Sequence, residues 1–416
     1  MFATRVQTVY TKIVLDFAPI PDVLVLGAGP AALTLAASCS SRGLITQGVA
    51  PDPGKPWTPR YGAWRDELPD LFSEAVAHTW AAAAVHTPEK RRLERPYVCL
   101  STPRLQGILD KRCAGMHWVD GFAEGLSHEE EATTVLLRSG QRLRARVVVD
   151  ATGDGALLER SEAPDAWQTA YGAIFTTRGG HPWALDEIGL MDFRGEDELP
   201  TFLYAQPLGP DRVFLEETTL IRSPEVPIVE LRTRLLQRLS RMGVDPERVT
   251  DEEHCRIRMM GSRPVFGQRA VGFGAAAGMV HPASGYQLAR LPAAAESLAE
   301  ALASNLSAGP AVASRAAWQA LWPATRQRQW ALYRFGAQIL CGLDADDTRR
   351  FFDAFFQIEP TLWTGFMSAT LSPLGLARAM AAVFSAASLS TRRQLLSAGA
   401  SPSGLDLLRT ISRPTP

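Results

Sequence analysis

Asp22-Val23-Leu24-Val25-Leu26-Gly27-Ala28-Gly29-Pro30-Ala31-Ala32 is the stretch on which the fold of this chain turns. Val23 to Leu26 is an apolar run of strand length, and Leu33, Leu35, Ala36 and Ala37 follow the glycines at helical spacing. The Gly-x-Gly-x-x-Ala between them stands where a dinucleotide fingerprint belongs, between a strand and a helix. Gly27 permits the tight turn, and Gly29 admits a pyrophosphate to the backbone. Ala32 keeps the helix close to the sheet, while Ala28, Pro30 and Ala31 complete a turn whose helix N-terminus faces the phosphates.

Two later segments have the same character. Arg146-Val147-Val148-Val149-Asp150-Ala151-Thr152-Gly153-Asp154-Gly155 is an apolar strand ending in small and acidic residues. Ala270-Val271-Gly272-Phe273-Gly274-Ala275-Ala276-Ala277-Gly278-Met279 is the third, with Gly274-Ala275 where many flavoproteins have Gly-Asp. A single Rossmann unit needs only the first segment, so three of them fit FAD better than NAD. The second strand is expected over Ile45 to Val49. Asp52 follows it two residues beyond the usual place of a ribose-binding acid, and is either that ligand or a turn residue.

Composition bounds the rest. A chain of 416 residues, 46% hydrophobic, is long enough for one composite fold or two to three sub-domains. A net charge of −1 gives no global field for nucleic acid. The five cysteines (Cys39, Cys99, Cys113, Cys255, Cys341) contain no Cys-x-x-Cys, which favours reduced thiols in a cytoplasm. The seven histidines have no metal-ligand spacing. Met1 to Pro21 lacks the apolar core of a secretory signal, and no window has the apolar length of a membrane-spanning helix.

Arg212-Val213-Phe214-Leu215-Glu216-Glu217-Thr218-Thr219-Leu220 reads as a strand carrying two adjacent carboxylates. Side chains alternate between faces, so Glu216 shares a face with Phe214 and Thr218, and Glu217 shares one with Val213 and Leu215. A carboxyl desolvated among apolar groups has a raised pKa and holds a proton at neutral pH. The alternative is a salt-bridged strand at a sheet edge.

With these segments in place the chain resembles the lycopene cyclases of the plant and cyanobacterial type, from about Asp22 to Leu396. The resemblance rests on Ala50-Pro51-Asp52-Pro53 with Pro56-Trp57, on Tyr61-Gly62-Ala63-Trp64-Arg65-Asp66-Glu67 and on Gln168-Thr169-Ala170-Tyr171-Gly172. Its most specific parts are Phe214-Leu215-Glu216-Glu217-Thr218 and Gly278-Met279-Val280-His281-Pro282-Ala283-Ser284-Gly285-Tyr286. Members of this family share the Gly274-Ala275 departure.

The resemblance implies a flavoenzyme using reduced FAD, with NAD(P)H as reductant, on lycopene or a related acyclic carotene. Substrate and product are isomers, because an open ψ end becomes a ring and no net reducing equivalents are consumed. Protonation of a terminal double bond makes a tertiary cation that the next double bond attacks. That chemistry requires an acid in a dry pocket and electron-rich walls. The family motif assigns the acid to Glu216 and Glu217, with Glu216 favoured because its face carries Phe214. Trp57, Tyr61, Trp64, Tyr171 and Phe214 are candidate walls, each with the alternative of a core aromatic. His281 and Pro282, with Ser284 and Gly285, are expected to form the loop beside the flavin ring, where backbone N–H groups can face its pyrimidine. Asp66 and Glu67 have a weaker case for a direct role.

From Trp318 onward the chain is helical in period and rich in aromatics. Arg outnumbers Asp plus Glu by 11 to 6 from residue 311 on. Apolar helix faces with adjacent Arg suit peripheral contact with an anionic bilayer, here the inner face of the cell membrane. An exposed portal is expected near Leu362 to Leu376, and linker or loose chain over Ala303 to Ala313 and after Ala398. The expected architecture is mixed α/β: a Rossmann-type FAD-binding domain over 20–160 and 260–310, an inserted β-sheet substrate domain over 161–259, and a helical layer over 311–398. Two rival readings stand beside it: an FAD-dependent monooxygenase or polyprenyl reductase of similar fold, and a carotenoid-binding protein without catalysis.

Overall fold

Val23–Leu26 forms the middle of a five-stranded parallel sheet, in the order Val271–Gly272, Val147–Asp150, Val23–Leu26, Thr46–Ala50, His117–Asp120. The computed structural model describes residues 20–87, 89–153, 155–195 and 199–399. A parallel strand covered on both faces reads as an unbroken apolar run, and every residue of Val23–Leu26 is buried. Register places Leu26 opposite Val49 on one side and Asp150 on the other, so the loops after three strands leave the same sheet edge together. Helix Pro30–Ser41 follows the glycine turn and packs on helix Leu291–Asn305. The three sequence segments therefore converge.

The second sheet has seven strands, ordered Asp245–Met260, Ala166–Arg178, Arg212–Thr219, Thr201–Pro207, Glu187–Asp192, Ala82–His86, Lys90–Leu93. Its last two strands come from residues 82–93, inside the span expected to belong to the dinucleotide domain. Ala82–His86 pairs in parallel with Glu187–Asp192, so the early segment extends the substrate sheet. Helix Ile228–Arg241 covers one face with Leu231, Leu235 and Leu239, one turn apart and fully buried. The opposite face looks toward the C-terminal helices.

Those helices form a layer. Phe352, Phe355, Phe356 and Trp363 share a core with Trp64, Met191 and Phe202. The expected portal is largely closed: Trp363, Met367 and Leu376 turn inward, and the exposed large apolar side chain in that segment is Leu374. Residues 303–313 are no linker. They span the end of helix Leu291–Asn305, a 3-10 turn Leu306–Ala308 and the start of helix Pro310–Leu321, broken only where Gly309 takes φ +105°. No helix among the described residues is long and apolar enough to cross a membrane. The expectation for the tail beyond residue 399, and most of that for Met1 to Pro21, lies outside the described residues.

Candidate functional site

The glycine turn is built for close approach. Gly27 has φ +107°, and a Cβ there would meet the Ala151 carbonyl oxygen at 2.7 Å. Gly29 is the opposite case, since a Cβ there would meet nothing within 4 Å. The helix it precedes has no side-chain cap, and Pro30 at its start has no N–H to satisfy. Open space in front of uncapped N–H groups fits a pyrophosphate. Ala28, Pro30, Ala31 and Gly153 line the same cavity, and Ala32 is buried beneath the turn. Gly274 has φ +68°, and a Cβ there would meet the Ala31 Cβ at 2.7 Å, which ties the third segment to the first.

Asp52 and Trp57 are absent from the lining. Asp52 is exposed at the turn after Thr46–Ala50, in the left-handed region at φ +50°, and its N–H donates to Asp120 Oδ1 at 3.1 Å. It occupies the turn position, and asparagine-like side chains tolerate that conformation. Trp57 faces the dinucleotide half, where its Nε1–H donates to the Ala28 carbonyl at 2.9 Å. It braces the glycine turn and is not a cavity wall. Asp154 lies outside the described residues.

His281 differs from expectation in its role. It is fully buried, and its Nδ1 accepts from the backbone N–H groups of Ala283 and Ser284, both at 3.2 Å. Two donors at Nδ1 place the ring proton on Nε2, which donates to the Phe366 carbonyl at 3.1 Å. Burial, then the Arg290 guanidinium, hold its pKa well below the ordinary value, so it stays neutral. The Gly285 N–H donates to the His281 carbonyl at 2.9 Å. The N–H groups expected to face a flavin are thus turned onto His281, which shapes the loop from behind. Pro282, Ser284 and Gly285, with Gly278, present the loop to the cavity. Met279 lies beneath it, its sulfur accepting from the Gly274 N–H at 3.2 Å.

One cavity of about 1050 Å³ runs from this cradle to Glu216. Its far end is formed by the substrate sheet and the helical layer, with Met191, Phe202, Phe352 and Met367 among the lining. The strand Arg212–Thr219 is paired on both sides in its sheet, so neither carboxylate lies at a sheet edge. Glu217 points to helix Ile228–Arg241, where Arg238 binds it through two parallel bonds: Nε to Oε2 and Nη2 to Oε1, each 2.8 Å. Glu217 is fully buried and its carboxylate is satisfied by that fork. That ion pair holds it on the helix side of the sheet, away from the cavity.

Glu216 points the other way. Its partly accessible side chain lines the cavity, and its Oε1 accepts from Thr218 Oγ1 at 2.7 Å. Burial, and secondarily the Glu253 carboxylate, push its pKa up to about 7 against the smaller opposing effect of the Thr218 hydroxyl. Phe214, Tyr61 and Trp64 also line the cavity, as expected. Tyr171 does not. Its register partner is Glu217, which puts the ring on the helix side, in the core with Leu231 and Leu235. Glu67 reaches the lining, while Arg95 holds Asp66 and Glu67 together through its Nη2 at 2.9 and 2.8 Å.

The sequence reading missed Glu253 and Tyr204. Pairing across the sheet sets Tyr204, Glu216, Gly172 and Glu253 in one row over four strands. Tyr97, Tyr204 and Tyr286 also meet there: the Tyr97 and Tyr286 hydroxyls lie 3.1 Å apart, and Gln206 donates to the Tyr204 hydroxyl at 2.9 Å. Alternation from Phe214 gives the facing of Glu216, but no local signal gives the partners on other strands.

Known proteins share this fold and sequence. Among solved structures, a geranylgeranyl bacteriochlorophyll reductase-like protein from Thermoplasma acidophilum superposes with a TM-score of 0.67 at 17% identity, covering 91% of this chain and 99% of that one. A flavin-dependent brominase triple mutant gives a TM-score of 0.62 at 14% identity over 87% of this chain and 98% of its own. These likenesses establish the Rossmann-type fold. Lycopene beta cyclase of Arabidopsis thaliana is 35% identical over 92% of this chain and 81% of its own length. Capsanthin/capsorubin synthase of Citrus sinensis is 34% identical over 90% and 79%. The family described as lycopene cyclase protein matches residues 22–393, and the chain therefore belongs to the lycopene cyclase family.

Proposed function

We propose that the protein closes a ring at one or both ψ ends of lycopene or a related acyclic carotene, with FAD bound and no net redox change. The observation that carries the reading is the placement of Glu216: a carboxyl on the apolar cavity wall, its pKa raised to about 7, with a hydroxyl as its partner where Glu217 has a guanidinium. A substrate without polar groups needs an acid that remains protonated near neutral pH, and desolvation supplies one.

The turn Gly27–Ala32, Gly153, Gly278 and the loop from Pro282 to Gly285 would hold FAD, because their open, small-residue surfaces border one end of the cavity. Reduced by NAD(P)H, FAD would supply an electron-rich ring near a developing cation. Glu216 gives its proton to the terminal double bond. Phe214, Tyr61 and Trp64 present ring faces to the tertiary cation, an interaction worth about 2 kcal/mol or more when desolvated. Walls such as Phe202 and Phe352 exclude water that would quench it. A carotene is dissolved in a bilayer, so peripheral contact with the inner face of the cell membrane, from a cytoplasmic position, belongs to the same proposal.

Expression in a lycopene-accumulating host, with pigments analysed by chromatography and mass spectrometry, tests the reading. Cyclic isomers of unchanged mass are expected. Hydroxylated or hydrogenated pigments, or one NAD(P)H consumed per product, overturn it in favour of a redox enzyme, and unchanged lycopene overturns it in favour of a binding protein.

A further inference from the structure

We propose that Glu253 is a positioning residue that keeps the proton on Glu216, the two working as a carboxyl pair with one proton between them. This rests on Glu216 being the acid of the proposed function.

Strand Ala166–Arg178 lies between the two carboxyls, and its Gly172 pairs with Glu216 on one side and Glu253 on the other. Adjacent strands are about 4.8 Å apart, so the two backbones are separated by about 10 Å, within reach of two glutamates converging on a shared cavity. Both line that cavity. Gly172 puts no side chain between them, and a Cβ there would meet the Phe214 ring at 2.6 Å and the Glu216 Cβ at 3.2 Å.

The pair is asymmetric. The Arg60 backbone N–H donates to Glu253 Oε1 at 3.0 Å, and the Arg60 guanidinium lies 4.9 Å from the centre of the Phe214 ring. Burial raises the Glu253 pKa, and both Arg60 effects work against that rise toward the charged form. Glu253 Oε2 is buried and has no hydrogen-bond partner. Other titratable groups around the pair are neutral: burial pushes Tyr61 up to about 12, raises Cys99 and Cys255, and holds Tyr204 well above its ordinary value. Of the two carboxyls, the one with a cation and an N–H donor beside it is Glu253, and its charge adds to burial in raising the pKa of Glu216.

A fixed negative neighbour disfavours ionisation of Glu216. Donation breaks the Glu216 O–H bond and forms a C–H bond at the substrate, leaving two carboxylates in one dry cavity. After ring closure a C–H bond beside the cation breaks. Its electron pair becomes the ring double bond, and its proton returns to the carboxyl pair, so the pair is restored without a co-reactant.

The test is the ionisation of Glu216, read in the full-length holoenzyme by the infrared band of its protonated carboxyl, alongside kcat/KM against pH. Glu216→Gln should abolish the band and ring formation. In Glu253→Gln the Glu216 midpoint and the high-pH limb of kcat/KM should both fall by about one pH unit or more. Activity at pH 8, as a fraction of the low-pH plateau, then falls about tenfold below the wild-type fraction. Glu253→Ser removes the charge with a smaller side chain and should shift both in the same way, whereas Glu253→Asp should leave both in place. A uniform loss of activity with an unmoved limb and band means Glu253 only supports the fold, and the proposal fails. Full activity in Glu216→Gln would instead overturn the assignment of the acid itself.

Discussion

Glu216 and Glu217 are neighbours in sequence, yet they occupy opposite environments in the molecule. Glu217 faces helix Ile228–Arg241, fully buried and gripped by Arg238 at two points. Glu216 faces a cavity, with the Thr218 hydroxyl at hand and a second carboxyl across Gly172. One strand thus carries an ion-paired glutamate on one face and, on the other, a glutamate whose pKa is raised to about 7 by burial. The lesson is that burial alone does not make an acid. A bidentate guanidinium favours the charged form of a buried carboxyl, whereas desolvation beside another carboxyl favours the protonated one.

The comparison breaks most sharply at Glu216. Glu216→Gln should cost about 10²- to 10⁴-fold in ring formation, the usual worth of a positioned general acid, with bound flavin retained in the absorption spectrum. The same variant tests a pH effect. The folded-state pKa of Glu216, about 7, is above its ordinary value of 4.5, so the wild-type protein should lose stability as pH rises from about 4.5 to 7. Denaturant melts across that window should be flatter in Glu216→Gln, and an unchanged slope would mean Glu216 titrates normally.

Glu217→Gln should act on stability, leaving Arg238 as a buried cation with half its partner lost, at a cost of about 3–5 kcal/mol in denaturant unfolding. Pairing it with Arg238→Met should recover much of that loss. If Glu217→Gln remained fully stable but inactive, the roles of the two carboxylates would be exchanged. Gly172→Ala comes next, since a Cβ 2.6 Å from the Phe214 ring must displace it. About 1–3 kcal/mol of stability should be lost, with a larger fractional loss of kcat/KM than of stability-corrected protein level. Tyr171→Phe is the mildest. Its hydroxyl lies 3.4 Å from Arg232 Nε on the helix side, so cyclisation should be within about twofold of wild type and stability within about 0.5 kcal/mol. A strong loss of product would return Tyr171 to the cavity wall.

Features with a local cause were legible. The turn at Gly27 and Gly29 announces itself because a left-handed residue and an uncapped helix start are encoded within a few positions. Alternation along Arg212–Thr219 gave the opposite facing of the two glutamates, since side-chain period two follows from the pleat. Tyr61, Trp64 and Phe214 were found as walls, but Trp57 and Tyr171 were not separable from them. An aromatic beside a motif looks the same whether it braces the cofactor turn through Ala28 or fills the core beneath Arg232. His281 was marked by its motif, though its work is to bind the loop's own N–H groups, which only the folded loop reveals.

Sequence by itself determined the dinucleotide turn, the family, and a strand with one carboxyl on each face, because each depends on residues close together in the chain. Tertiary structure alone decided which face met a cavity and which met Arg238, and that Tyr204, Glu216, Gly172 and Glu253 lie in one row. Strand register is set by packing between segments far apart in sequence, and a shift of one residue would turn every one of those side chains to the other face.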